Sequence, residues 1–217
     1  MKIFRAHARD ATRRVDIHEP ALARIRLVHR DPTPRSSPPR HQWPLPSTQH
    51  GARPMNAIDL LVSDHRTVEK LLEELTETTS RGVKTRQTLV EKIGALLKAH
   101  TMIEEEIFYP AFKQAGDKEE AKMYFEAIEE HRAAGELVLP DLLQTDPSGE
   151  KFSGRAKVLK ELILHHAQEE EKEMFPAAKK LFDQAKLKAL GEQMFQRKQE
   201  LLKDKEELLE LTLRERA

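Results

Sequence analysis

The 217-residue chain contains no cysteine, which excludes disulfides and thiolate zinc sites and leaves any metal to histidine and carboxylates. No apolar run approaches the roughly 18 to 20 residues that a membrane-spanning helix needs. Met1 to Val15 also lacks the apolar stretch of a secretory signal, so the cytoplasm is the expected location and no membrane partner is predicted. Aromatic residues are scarce, at 5% against 34% charged; this balance suits helices with solvated outer faces better than a β-sandwich. No Ser/His/Asp arrangement or glycine-rich phosphate loop is evident, which sets hydrolase and nucleotide chemistry aside.

What is present is a repeat. Ala99 to Lys113 and His165 to Lys179 share His-x-x-x-Glu-Glu, an aromatic-Pro-Ala and a lysine, displaced by 66 residues: His100 to His166, Glu104 to Glu170, Pro110 to Pro176. The same displacement carries Asp64-His65-Arg66 onto Glu130-His131-Arg132. Residues four apart lie one above the other on a helix. Two helix pairs of one design, each with a lone His and a His-x-x-x-Glu, can close on a pair of metal ions.

The net charge of zero hides an asymmetry. Residues 1–54 hold 11 Lys/Arg against 4 Asp/Glu and the remainder 26 against 33. The first segment is rich in Pro and Arg, as in Asp31-Pro32-Thr33-Pro34-Arg35, and reads as a disordered basic extension. Met55 is an alternative natural start. Clustered surface cations and groove-reading elements are missing from it, so no nucleic-acid partner is expected.

Residues 55–183 read as four helices. The first is capped by Asn56 and carries Ile58, Leu61, His65, Val68, Leu72 and Leu75 at seam spacing. The second runs from about Thr85 to Phe112, with seam residues Leu89, Ile93, Leu96, His100, Ile103 and Ile107, and with Pro110 as a kink or stop. Asp117 and Glu120 form a capping box for the third, which bears His131 and Gly135 and bends near Pro140. The fourth begins between Ser148 and Gly154 and presents His166, Glu170, Met174 and Ala177. Residues 184–217 form a charged helix with a thin stripe, Leu190, Met194, Leu201 and Leu208, lying against the bundle or in a homodimer interface.

A lone His on an apolar face is usually a satisfied core residue, but four of them on four helices, two with Glu one turn on, point to ligands. Ferritin-like di-iron bundles use Glu-x-x-His instead; the order and step here differ. This series resembles the hemerythrin family, in its HHE cation-binding branch, over Met55 to Phe182. The resemblance implies an all-α, up-down-up-down four-helix bundle around a non-haem di-iron centre with an oxo or hydroxo bridge. His65 and His100 would bind one iron, His131 and His166 the other, and Glu104 and Glu170 would bridge both. The family's oxygen carriers have a further His where Gly135 stands here, which implies a more open centre.

Only His166 keeps the repeat's register, which places His165 on the flank. Glu69 is read as a surface residue or an accessory ligand. Asp64, Glu105, Glu130 and Glu171 are read either as acceptors for the ligand rings or as solvated charges, and Tyr109 as packing at a helix end or, alternatively, as a gate to the pocket or a participant in redox steps. The functional expectation is binding or sensing of dioxygen, nitric oxide or peroxide, or iron handling, leaning away from an enzyme. A di-iron oxidase or peroxidase, or a repair factor for iron centres, is the alternative. A structural module with a basic tail is the third reading.

Overall fold

In a computed structural model, residues 55–215 are described, with side chains to residue 203. The expectation for residues 1–54 falls outside them. Every regular element among the described residues is helical: α1 (Ala57–Glu77), α2 (Val83–Ile103), α3 (Tyr109–Ala115), α4 (Lys118–His131), α5 (Leu139–Leu143), α6 (Glu150–Glu169), α7 (Phe175–Leu181) and α8 (Gln184–Glu215). Three π-helical turns, Glu104–Phe108, Arg132–Val138 and Glu170–Met174, join α2 to α3, α4 to α5 and α6 to α7 into continuous rods. Short connections make successive rods antiparallel, giving an up-down-up-down four-helix bundle to which α8 is added.

The ends follow local chemistry. Asn56 caps α1 through its side-chain oxygen, which accepts from the Asp59 amide at 3.1 Å. Asp117 and Glu120 form the reciprocal box at the start of α4. Helix α2 begins at Val83 with Gly82 as a cap that offers no side chain, so Thr85 lies inside the helix instead of capping it.

Prolines account for the π turns. Pro110, Pro140 and Pro176 have no N–H, and their rings crowd the carbonyl four residues back. The helix widens instead of stopping: the amides of Tyr109, Leu139 and Phe175, each just before a proline, reach back five residues to Glu104, Ala134 and Glu170. The extra residue shifts the seam beyond Glu104. Phe108, Tyr109 and Phe112 are buried there, whereas Ile107 is only partly so.

The core forms two apolar layers. One contains Leu61, Phe108, Phe112, Phe175 and Met194; the other contains Leu72, Ile93, Leu142, Phe152 and Leu159. The polar residues of the repeat lie between them. Helix α8 buries Leu187, Leu190 and Met194 on this same bundle, and its Gly191 permits close approach: a Cβ there would lie 2.5 Å from the Met55 carbonyl oxygen.

Arg86 fastens the far end. It is buried, and its guanidinium donates to the Thr78 hydroxyl and carbonyl, the Pro147 carbonyl and the Ser153 hydroxyl at 2.6–3.0 Å, while lying over the Phe152 ring. Arg86→Met would strand those acceptors. A loss of about 3 kcal/mol is expected, readable as a lower urea midpoint at unchanged slope.

Candidate metal centre

The structure brings all six residues singled out by the repeat together in the bundle core. His65 comes from α1, His100 from α2, Glu104 from the first π turn, His131 from α4, His166 from α6 and Glu170 from the third π turn, and all are buried. They form two groups sharing Glu104: His65, His100, Glu104 and Glu170, and Glu104, His131 and His166, with donor atoms within 4.8 Å of one another in each.

The ring nitrogens divide cleanly. Every Nε2 faces inward: His65 Nε2 lies 3.1 Å from Glu170 Oε2, and His100 and His131 Nε2 each lie 3.3 Å from Glu104 Oε2. His166 Nε2 is 3.6 Å from Glu170 Oε2 and 3.1 Å from His131 Nε2. Every Nδ1 faces outward to a carboxylate on another element. His65 is 2.9 Å from Glu171, His131 2.7 Å from Glu105, His166 2.8 Å from Glu130 and His100 3.5 Å from Asp64. The repeat exchanges these four pairs among themselves. A carboxylate accepting from Nδ1–H leaves the lone pair on Nε2, aimed inward, so Glu171, Glu105 and Glu130 are ring acceptors and not merely solvated charges, while Asp64 faces the His100 ring without a hydrogen bond.

Several of the inner atoms lack protein partners. Both oxygens of Glu104, Glu170 Oε2 and His65 Nε2 are buried without a hydrogen bond, a costly arrangement unless a cation meets them. Burial and the facing Glu170 push the Glu104 carboxyl well up. Burial pushes Glu170 the same way, but His166 and His65 outweigh it and hold that carboxyl down to about 2. Burial takes His100 down to about 4. Two carboxylates and four imidazoles, with both Glu104 oxygens, Glu170 Oε2 and His65 Nε2 orphaned among them, fit a pair of divalent ions of the iron, manganese or zinc type.

Tyr109 was missed as a partner of the ligands. Five residues past Glu104, it would lie about 140° round an ordinary helix, but the π turn brings it back over the site. Its hydroxyl donates to Glu170 Oε1 at 2.8 Å and lies 3.3 Å from His131 Nε2. Burial, then Glu104 and Glu170, raise its pKa and keep the phenol protonated. Its repeat mate, Phe175, stacks on His65 as Tyr109 stacks on His131, so the phenol breaks the symmetry of the two halves. Pro110 beside the tyrosine marks the place in the sequence but does not decide whether the helix ends or widens there.

The remaining candidates lie outside. His165 is exposed and pairs with Glu169 at 3.2 Å, and Glu69 pairs with Arg66 on the surface. A cavity of about 30 Å³ touches all four ligand rings and is lined by Val68, Leu97, Ala134, Gly135 and Ile163. A Cβ on Gly135 would meet nothing within 4 Å.

Bundle, repeat and buried donor set define a cation-binding helical protein. The chain belongs to the hemerythrin HHE cation-binding domain family, which matches residues 56–178. It is 28% identical over 148 residues to an uncharacterized protein of Mycobacterium tuberculosis, covering 68% of this chain and 88% of that protein. The crystal structure of a hemerythrin HHE cation-binding domain-containing protein from Mycobacterium kansasii is similar, with a TM-score of 0.61 and 28% identity over 69% of this chain and 89% of that one. A DNA nickase of Nostoc is 30% identical over 129 residues, 57% of this chain, which spans only 33% of the nickase.

Proposed function

We propose that this protein holds two iron ions in the bundle core and binds a small ligand there: dioxygen, nitric oxide or peroxide. His65 and His100 would hold one ion, His131 and His166 the other, with Glu104 and Glu170 between them. The iron pair, when bound, supplies redox-active positions with room for one more ligand. The observation that carries the reading is the set of orphaned Glu104, Glu170 and His65 atoms in the core, together with a cavity of about 30 Å³ that all four histidine rings line. That volume suits a molecule of roughly two or three heavy atoms.

The chain's own residues do three things. Glu171, Glu105 and Glu130 fix the tautomers of three rings from outside, and Asp64 faces the fourth. Val68, Leu97, Ala134 and Ile163 give the cavity its apolar wall. Tyr109 holds a proton at Glu170, and this supports the second reading, peroxide turnover, in which a buried phenol is a proton reserve.

Metal analysis with an absorption spectrum of aerobically purified protein tests the proposal. Two irons per chain and near-ultraviolet charge-transfer bands are expected, with spectral change when nitric oxide is added to the reduced protein. Protein that retains no iron after loading and dialysis would defeat it. Evolution of dioxygen from added peroxide would favour the second reading.

A further inference from the structure

Helix α8 reaches the centre at one point. Lys198 follows Met194 by one turn, on the face that α8 packs against the bundle, and its ammonium bonds Asp64 Oδ1 with both side chains largely shielded from water. Beside it Arg197 holds Glu106 with two bonds, at 2.7 and 3.1 Å, pinning this stretch of α8 to the first π turn.

Asp64 is the carboxylate that faces the His100 ring. Three of the four outward ring contacts are hydrogen bonds of 2.7–2.9 Å; in the fourth, His100 Nδ1 and Asp64 Oδ2 lie 3.5 Å apart and neither atom makes a hydrogen bond. Glu130, the repeat mate of Asp64, faces histidines: its second oxygen lies 3.6 Å from the exposed His165, and it reaches His166 at 2.8 Å. The two halves of the centre therefore differ where α8 lies on only one of them.

We infer that Lys198 is a positioning residue of the metal centre: its ammonium draws Asp64 away from the His100 ring, so that the seating of α8 makes the two ion positions unequal. The inference rests on the centre described under the proposed function. A carboxylate shared with an ammonium is a poorer acceptor for Nδ1–H, and a ring held less firmly is a weaker ligand. The lysine charge also opposes a cation nearby. Both effects weaken the position that uses His100.

Zinc titration of the whole chain against a chromophoric chelator provides the test, since zinc accepts this donor set. Two distinct affinities are expected in the wild type. In Lys198→Met the weaker one rises by about tenfold, towards the stronger, and Lys198→Arg retains the wild-type inequality. In ¹⁵N-labelled zinc protein, the His100 Nδ1–H signal moves downfield in Lys198→Met to join the other three. Should Lys198→Met fail to fold, Lys198→Gln carries the same readouts. An unchanged or lowered affinity with an unmoved His100 signal overturns the inference, because the shorter aspartate side chain would then set the distance. A wild-type protein that binds neither zinc nor iron overturns the reading of the centre, and this inference with it.

Discussion

Glu104→Leu is expected to stabilise the metal-free protein by about 1–3 kcal/mol while abolishing uptake of both metal ions. Glu104 is fully buried and neither carboxylate oxygen has a hydrogen-bond partner. Removing a polar group in that condition relieves its desolvation cost, and a leucine of similar size restores apolar contact between the two core layers. The same carboxylate is the one residue common to both donor groups, so its loss removes a ligand from each. Thermal melts of chelator-treated protein and metal analysis of the loaded variant check the two halves separately. A variant less stable than the metal-free parent would show that Glu104 supports the fold by itself, and one that still binds two ions would remove it from the centre.

The second large effect is on pH. Burial and Glu170 raise the pKa of Glu104 above its ordinary 4.5. Burial alone would lower His65 and His166, but Glu170 and Glu104 outweigh it and raise both above 6.5. The folded metal-free chain thus binds more protons than the unfolded chain, and the stability these groups contribute is lost as pH rises from those ordinary values through the folded ones. His100 and Glu170, lowered to about 4 and about 2, act in the opposite sense: their contribution is present above 6.5 and 4.5 and lost as pH falls.

Metal ions require deprotonated ligands and take the place of the retained protons. The gain in Tm on metal loading should therefore grow from pH 6.5 to roughly pH 8, with on the order of two protons released per centre filled. Melts with and without metal at both pH values, and titration calorimetry in buffers of different ionisation heat, measure it. An equal Tm gain at both pH values would mean that the centre is already deprotonated.

The six central residues were legible because their signal is local. His four residues before Glu marks one helix face, and repetition at 66 residues distinguishes His166 from His165. The capping box at Asp117 was legible for the same reason. Tyr109 was not, because its orientation depends on whether Pro110 ends the helix or widens it, and both outcomes relieve the same steric conflict. The buried aromatics Phe108 and Phe112 supply the packing that favours continuation.

Asp64, Glu105, Glu130 and Glu171 stood out in the sequence as neighbours of the ligands, yet each faces a ring on a different element. Such pairing depends on how the rods cross. The sequence by itself determined the helical class, the repeat, the capped ends and the two His-x-x-x-Glu faces, since all of these arise from contacts between residues within a turn or from periodicity. Only the tertiary structure decided which carboxylate meets which imidazole, where Tyr109 points and that Lys198 reaches Asp64. Those outcomes join residues as many as 134 positions apart, and packing of whole helices, not the preference of any short segment, brings such residues together.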